Sequence, residues 1–433
     1  MNKLIIVALM AGLLKTAPLR AQETNSPPVL TLDAARQLAL QNHPRIVASR
    51  FQLGAAKEAV KEARSAELPA ASLFGTAAGE DSGGDTRIMA GGLNNPSVYD
   101  RMAGGLSVSQ LITDFGRTAN LTASSRFQER AESENAADVR EQVWLQVSTS
   151  YYGVLDAQSV LQVAQQTVAS RQLMLEQVTT LATNKLRSQL DVSFGQVLLE
   201  QGQLLVERAQ NGLDAAMARF TDDLGLREKR RFQLVEPPPS TTGTKDVEDL
   251  IQTALAKRPE LLSLRAQIEA AHRFARAERD ARLPTISALG VIGNSPIHDD
   301  RLANNYAAAD LNISLPLFAG GLYLARQHRA EAQASAGDEQ LRNAEDDVIQ
   351  QVRLAWLNVN TARQVLQTSA ELVRNASEAY ELAQARYQAQ LSSVVELSQA
   401  QLNQVSAKIG AANAHYELLQ DEAALDYQIG AMH

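Results

Sequence analysis

Two long stretches of the chain carry the same stripe of apolar residues at helical spacing. The first stripe comprises Val143, Val147, Tyr151, Val154 and Ala157. The second, 205 positions later, comprises Val348, Val352, Trp356, Val359 and Ala362. An apolar residue at every third or fourth position predicts an amphipathic helix. No proline interrupts either stretch, so the first helix is predicted from about Arg117 to near Thr183, roughly 100 Å long. A helix of that length has to pack lengthwise against others, as in a coiled coil.

A second pair of segments, upstream of the two long stretches, is also duplicated. Leu38-Ala39-Leu40-Gln41-Asn42-His43-Pro44 returns as Thr253-Ala254-Leu255-Ala256-Lys257-Arg258-Pro259, 215 positions later. Leu68-Pro69 and Leu283-Pro284 follow at the same separation. Internal repetition at this scale predicts two copies of one supersecondary unit. We assign residues 22–236 to the first copy, 237–246 to a proline-rich linker and 247–433 to the second copy.

Period-two alternation predicts strands between the helical segments of each copy. Residues 307–315 place Ala, Ala, Leu, Ile and Leu on one face and Ala, Asp, Asn and Ser on the other. Residues 106–109 of the first copy alternate in the same way. Together with the segments after Leu68-Pro69 and Leu283-Pro284, they predict β-hairpins over about 69–111 and 284–317.

A helical hairpin is predicted after each β-hairpin, over about 116–225 and 321–430. The reversals fall near residues 184–189 and 390–393. Gly225 and Gly430 end the returning helices, again 205 positions apart, and glycine suits a helix C-terminus because it adopts the left-handed conformation without strain.

Composition and targeting restrict the function. Residues 1–21 have the features of a secretory signal peptide, with Lys3, an apolar run over residues 4–14 and a cleavage site after Ala21. The formal net charge of −8 becomes −11 once Lys3, Lys15 and Arg20 are removed. A chain this acidic is a poor candidate for binding nucleic acid. Cysteine is absent, and no nucleophile, base or metal-ligand constellation suggests an enzyme or a cofactor.

Four strands cannot close a barrel, because about eight are needed. An export signal combined with strands that are apolar on one face and polar on the other is typical of a membrane barrel with a polar lumen. Several chains would then share one barrel: two chains supply eight strands and three supply twelve. The long helices would extend the pore as a tube of roughly 100 Å.

The chain resembles the TolC-like outer-membrane efflux proteins. The resemblance covers about residues 32–430. It depends on the two Leu-Pro motifs, on the strand-to-helix junctions at residues 110–117 and 315–321, and on the tips Ser188-Gln189-Leu190-Asp191-Val192 and Ser393-Val394-Val395-Glu396-Leu397. It implies an α+β fold with long antiparallel α-helical coiled-coil hairpins and four transmembrane β-strands per chain. It further implies a homotrimer with a twelve-stranded β-barrel in outer-membrane lipid and an α-helical periplasmic tunnel.

The resemblance also implies function and partners. The protein would be the outer-membrane exit channel of a tripartite efflux system. It would conduct small molecules passively from an inner-membrane pump of the RND or ABC type through a periplasmic adaptor protein. The exit duct of a type I protein secretion system is an alternative within the same fold. A secreted coiled-coil scaffold without a pore is an alternative from another class.

Asp191 and Glu396 occupy equivalent positions just after the two reversals. Three chains would gather six such carboxylates at the end of the tunnel. The resemblance places an acidic ring of the entrance constriction at Glu396, and a second ring is in doubt because Gln399 stands three residues later. The alternative interpretation is that both acids stabilise the N-termini of their helices.

The tips themselves are candidates for adaptor docking. The candidate residues are Leu186, Arg187, Ser188, Leu391, Ser392 and Ser393. Ordinary packing of the helical hairpins is the alternative role for the two leucines. Tyr99, Tyr306, Phe115 and Phe318 flank the strands and predict either aromatic girdles at the membrane interfaces or loop packing. Asp114 precedes a glycine bend, and we expect no special role for it because Ala319 is its counterpart.

Overall fold

A computed structural model describes residues 28–78, 101–227, 232–238, 246–297 and 303–432. The first copy contributes β1 (Val29–Leu30), α1 (Leu32–Asn42), α2 (Pro44–Ser65), β2 (Ala70–Ala78), β3 (Arg101–Thr113), α3 (Arg117–Thr183) and α4 (Gln189–Asp223). β4 (Gln233–Leu234) ends the first copy, and the second copy contributes α5 (Val247–Lys257), α6 (Pro259–Asp280), β5 (Thr285–Ile297), β6 (Asn305–Ser314), α7 (Leu322–Gln388) and α8 (Val394–Gln428).

Corresponding helices of the two copies have equal lengths. α1 and α5 have 11 residues each, α2 and α6 have 22, α3 and α7 have 67, and α4 and α8 have 35. At 1.5 Å per residue, α3 and α7 are each about 100 Å long. None of the helices in the described ranges is long and apolar enough to span a membrane.

The four longer strands form one antiparallel sheet in the order β2-β3-β5-β6. The central pair joins the two copies, with Val108 opposite Gly290 and Ser109 opposite Leu289. β2 and β6 are the two edges. The predicted combination of long antiparallel helices and four strands is therefore present. The sheet of a single chain is open rather than a closed barrel, because its edge strands have no partner within the described part of the chain.

The helices form two further four-membered rows along the long axis. Next to the sheet the order is α2-α3-α6-α7, and beyond it the order is α4-α3-α8-α7. α3 and α7 run through both rows because of their length. Each row, like the sheet, has a first-copy element at one end and a second-copy element at the other.

A core at mid-height holds the short elements against the long helices. Tyr151 of α3 is fully buried, and its hydroxyl lies 3.0 Å from the Leu30 carbonyl oxygen and accepts a 3.0 Å hydrogen bond from the Val235 backbone N–H. It thereby ties the small parallel sheet of β1 and β4 to α3. Trp144 and Trp356 pack against the apolar clusters of their own copies.

The glycines that end α4 and α8 make the same contact in both copies. Gly225 has φ +72° and lies against the backbone of Asn42 and His43, where α1 meets α2. Gly430 has φ +65° and lies against Arg258, where α5 meets α6. The duplicated Pro44 and Pro259 begin α2 and α6 immediately after these contacts.

The junction from β3 to α3 corrects the expectation for Asp114. Phe115 and Gly116 both have positive φ, of 56° and 107°. The buried Asp114 carboxylate accepts hydrogen bonds from the Gly116 N–H at 3.2 Å and the Thr118 N–H at 2.8 Å. It caps the start of α3 and stabilises a turn in which a phenylalanine takes the left-handed conformation. In the second copy Gly320 and Gly321 adopt the turn, so no aspartate is needed there.

Candidate functional site

Both helical hairpins turn through the same backbone motif. Lys185 (φ 61°) and Gln390 (φ 65°) are left-handed. The N–H of the next residue donates back across the last helical turn, from Leu186 to the Leu181 carbonyl at 2.9 Å and from Leu391 to the Arg386 carbonyl at 2.8 Å. These bonds form a Schellman motif, which satisfies carbonyls that the helix end would leave free. The motif leaves Leu186 57% and Leu391 71% exposed at the end of the molecule.

In the first tip, Asp191 belongs to a capping box. Its backbone N–H donates to the Ser188 hydroxyl at 3.2 Å, and its carboxylate accepts from the Ser188 backbone N–H at 3.2 Å. Such reciprocal bonds satisfy two N–H groups at the start of a helix. The local geometry therefore already uses one oxygen of the Asp191 carboxylate.

In the second tip, the side chain of the equivalent acid, Glu396, contacts an arginine instead of its own helix cap. Ser393 caps α8 by accepting a 3.2 Å hydrogen bond from the Glu396 N–H. The Glu396 carboxylate lies 3.2 Å from Arg386 Nε, and both side chains are about half exposed. Gln399 donates to Asn403 on its own helix at 3.0 Å. Of the two predicted gate carboxylates, Glu396 is the one whose charge extends from the helix end toward another element.

A cation joins the two tips. The Arg187 guanidinium lies over the Tyr387 ring, 4.1 Å from its centroid, and donates to the Tyr387 carbonyl at 2.6 Å. Tyr387 is buried beside Val178, Ala383, Val394 and Leu397. Burial raises the pKa of the Tyr387 hydroxyl, so the ring under the arginine stays neutral. Sequence reasoning included Arg187 for docking and missed this contact, because the two residues are 200 positions apart.

A second arginine lies inside the helical row. Arg171 of α3 is buried and donates to the Leu198 carbonyl at 2.7 Å and to Gln401 Oε1 at 3.3 Å. It thus crosses from α3 to both α4 and α8, and burial lowers its pKa. A single arginine within a long polar sequence offers no pattern from which this contact could be predicted.

A buried carboxyl lies at mid-height, where the two copies meet. Glu141 of α3 is 1% exposed, and its Oε2 accepts no hydrogen bond in the described part of the chain. Burial, reinforced by the neighbouring Asp138 carboxylate, raises the pKa of Glu141 to about 7. Arg140 and Arg258 act in the opposite direction. Asp138 accepts from Gln142 at 2.7 Å, and burial raises its pKa as well.

The two faces of the large sheet differ in chemistry. One face carries apolar side chains that are mostly exposed, namely Leu73, Leu106, Val108, Ile292, Leu311 and Ile313. The other face carries most of the polar side chains, namely Ser72, Ser107, Tyr306, Asp310, Asn312 and Ser314, together with Phe74, Leu289 and Val291. This corrects the girdle expectation for Tyr306, which lies on the polar face. Phe115 and Phe318 are exposed at the junctions, and Tyr99 lies outside the described residues.

Exposed apolar residues also mark the outer helices of the lower row. On α4 they are Leu190, Phe194, Val197 and Leu204. On α7 they are Leu354, Val365, Leu372 and Leu382. The separations of 3, 4, 7, 10 and 11 positions place each set on one side of its helix. Within the described ranges, no cluster of three or more His, Asp or Glu side chains could hold a metal.

Known proteins share this arrangement. The sequence profile of the family described as "Outer membrane efflux protein" matches residues 35–226 and 250–431. The outer membrane protein TolC of Salmonella enteritidis is 24% identical over 406 residues, covering 92% of this chain and 81% of TolC. The toluene efflux pump outer membrane protein TtgI of Pseudomonas putida is 24% identical over 371 residues, covering 83% and 78%. The crystal structure of the Campylobacter jejuni CmeC outer membrane channel has a TM-score of 0.78 at 17% identity, covering 99% and 94%.

Proposed function

The chain belongs to the outer membrane efflux protein family, and we propose that three copies of it assemble into one continuous duct from the periplasm through the outer membrane. As an outer-membrane efflux channel it carries no catalytic centre in this proposal. Membership of this family excludes the alternative of a secreted coiled-coil scaffold without a pore. The assembly, its partners and its cargo make up the proposal.

The observation that carries the proposal is that the sheet and both helical rows end in elements that have no further neighbour in their layer within the described part of the chain. The sheet ends in β2 and β6, the upper helical row in α2 and α7, and the lower row in α4 and α7. An unpaired strand edge and an exposed apolar stripe both favour association. A first-copy edge always stands opposite a second-copy edge, so successive chains can pair head to tail around a ring.

Three chains are the smallest ring that leaves a passage. Two would give an eight-stranded barrel filled by side chains, whereas three give twelve strands. The exposed apolar face would then contact lipid, and the face with Ser72, Asp310 and Asn312 would line the lumen. α4 of one chain would pack against α7 of the next through the exposed stripes along the 35 residues of α4, and α2 would pack against α7 nearer the sheet. The tube would then have the length of α3 and α7, about 100 Å.

The tips at residues 184–191 and 390–396 lie at the periplasmic end of that tube. In the proposal Glu396 contributes three carboxylates to the entrance, and Asp191 three more that are partly engaged by their helix caps. The exposed Leu186 and Leu391 would contact a periplasmic adaptor together with Arg187, Ser188, Ser392 and Ser393. An inner-membrane pump of the RND or ABC type would supply small, toxic molecules through that adaptor.

Oligomeric state tests the assembly directly. The protein purified in detergent should run as a trimer that dissociates only on heating and should conduct ions in a planar bilayer. Phe194→Glu and Leu372→Glu each place a charge on an edge stripe and should yield monomers, whereas Gln196→Glu, off the stripe, should remain trimeric. Trimers formed equally well by the two stripe variants would contradict the proposed contact.

Reconstitution with an RND- or ABC-type pump and its adaptor from the same organism tests the cargo. In a strain lacking its own efflux channels, drug resistance without a secreted polypeptide supports small-molecule efflux. A polypeptide delivered to the medium without a change in resistance would support the protein-secretion alternative.

A further inference from the structure

Two aromatic residues and two glycines form one row across the large sheet. Phe74 on β2 is opposite Gly105 on β3, Gly105 is opposite Gly293 on β5, and Gly293 is opposite Tyr306 on β6. The two rings therefore stand on the two edge strands at the same height. The two glycines stand between them on the central strands.

Both rings lie across the neighbouring glycine. A Cβ atom added to Gly105 would lie 3.0 Å from Phe74 Cζ, and one added to Gly293 would lie 2.5 Å from Tyr306 Cζ. A larger residue would also meet the neighbouring strand, the Ile292 carbonyl oxygen at position 105 and the Gly104 carbonyl oxygen, 2.7 Å away, at position 293, so it would displace both the ring and the backbone. The absence of a Cβ at Gly105 and Gly293 is thus what allows each ring to lie flat, with one face against the backbone and the other free.

The two rings lie on the side of the sheet that would line the lumen. Tyr306 shares its face with Asp310 and Asn312, and the strand register places Phe74 on the same face through Gly105 and Gly293. Both side chains are only partly buried, so each ring is accessible from that side.

A carboxylate lies near the row. Asp310 is the single charged side chain that the structure describes on the four strands of the large sheet. It shares the face of Tyr306 and lies four residues farther along β6, about 13 Å away at the usual rise of a strand. A carboxylate on the wall of a narrow lumen attracts cations and repels anions.

We propose that the row of Phe74 and Tyr306 is a binding level for planar aromatic cations inside the barrel. The proposal rests on the proposed function, since three chains would place six flat rings at one height of the lumen. A planar ring can stack on an aromatic face, and a positive charge is attracted to the same face. Asp310 raises the local concentration of the cation, and the rings select its shape.

The alternative role of the rings is to cover glycines that would otherwise weaken the strands. Leucine separates the two roles, because a leucine at position 74 or 306 can still cover the neighbouring glycine but offers no aromatic face. Leu73→Val is the matched control: it alters the same strand on the opposite, apolar face.

Block of single-channel current in a planar bilayer tests the site, with ethidium as the planar aromatic cation and tetrabutylammonium as a non-aromatic cation of the same charge. The double variant Phe74→Leu/Tyr306→Leu should weaken ethidium block at least five-fold and change tetrabutylammonium block less than two-fold. Leu73→Val should alter neither. Asp310→Asn should weaken block by both cations to a similar degree. Ethidium block that is unchanged in the double variant, or weakened only in parallel with tetrabutylammonium block, would overturn the proposal.

Ethidium fluorescence with the detergent-purified protein separates this proposal from the duct itself. A protein that binds ethidium through Phe74 and Tyr306 but conducts no current would contradict the proposed duct and support the proposed binding site. A protein that conducts current, and whose ethidium binding is the same in the double variant, would support the proposed duct and contradict the proposed binding site.

Discussion

Arg187 at the end of one helical hairpin stacks on Tyr387 at the end of the other, with the guanidinium 4.1 Å from the ring centroid. Because the same guanidinium donates to the Tyr387 carbonyl, one side chain holds two contacts across the tips. The tips come from the two copies of the duplicated unit, so this residue pair is a polar link between the halves of the chain, as the Arg171–Gln401 hydrogen bond is farther from the tips.

Removal of the arginine is predicted to loosen the tips. Arg187→Gln loses the cation–π contact, worth about 1 kcal/mol. We predict that the contact is made when the tips are closed, so that its loss shifts them roughly five-fold toward an open state. The resting single-channel conductance should rise. Lys185→Asn removes a cation from the same tip without touching Tyr387, and asparagine tolerates the left-handed backbone, so its conductance should match the parent protein. An Arg187→Gln channel with the parent conductance would show that the pair does not restrain the tips.

The two tip carboxylates are predicted to differ in their effect on cation block. Glu396→Gln should weaken block of the current by divalent cations, because the Glu396 carboxylate extends from the helix end and its partly exposed ion pair with Arg386 holds it only weakly. Asp191→Asn should have a smaller effect on block and should cost about 0.5–1 kcal/mol of helix stability through the capping box. Bilayer recordings and heat unfolding of both variants check this difference. Equal block by divalent cations in the Glu396→Gln and parent channels would show that Glu396 does not line the entrance.

Glu141 is predicted to make stability depend on pH. Its pKa is about 7 in the folded chain, against an ordinary value near 4.5, so the folded protein keeps a proton that the unfolded chain releases within this range. The contribution of the protonated Glu141 carboxyl to the free energy of unfolding is fully present below about pH 4.5 and is lost as the pH rises through 7. Glu141→Gln should therefore be more stable than the parent at pH 8, by on the order of 1–3 kcal/mol, and nearly equal to it at pH 4.5.

Heat unfolding of the two proteins at a series of pH values measures that difference directly, because other titrating groups contribute to both. Glu207→Gln, an exposed substitution on α4, should follow the parent at every pH. A constant offset between Glu141→Gln and the parent from pH 4.5 to 8 would contradict the raised pKa.

The glycines that end α4 and α8 should be intolerant of alanine to different degrees. Both have positive φ, which costs a non-glycine residue roughly 1–2 kcal/mol. A Cβ at position 225 would also lie 2.8 Å from the Asn42 carbonyl group, whereas one at position 430 would lie 3.2 Å from Arg258 Cα. Gly225→Ala should therefore lower the midpoint of heat unfolding more than Gly430→Ala.

Gly212→Ala is the matched control for these two substitutions. Gly212 lies inside α4, and a Cβ there would meet nothing within 4 Å, so alanine should stabilise the helix by about 0.5–1 kcal/mol. A Gly225→Ala protein as stable as the parent would show that the α1–α2 junction can move away from the end of α4.

The local features of the fold followed from local patterns. The apolar stripe on either side of Tyr151 predicts α3, which runs over Arg117–Thr183. The turn residues near Ser188 and Ser393 precede α4 and α8, which these serines cap. Helical periodicity, caps and strand alternation arise between residues close in sequence, and they are therefore visible without a structure.

Local sequence patterns did not predict the contacts between distant segments. Asp191 and Glu396 are equivalent in sequence, yet one closes a capping box and the other pairs with an arginine on the preceding helix. Tyr306 flanks its strand in the sequence and lies across Gly293 in the sheet. Such outcomes depend on which side-chain atoms the packing brings together, and sequence spacing alone carries no information about that.

The sequence by itself determined that the chain is a duplicated unit of strand hairpin and long helical hairpin, because periodicity and repetition are written along the chain. Only the tertiary structure decided the order α4-α3-α8-α7, the stacking of Arg187 on Tyr387 and the row from Phe74 to Tyr306. Those contacts join residues separated by many tens to hundreds of positions, and they form only where the long elements meet in one register.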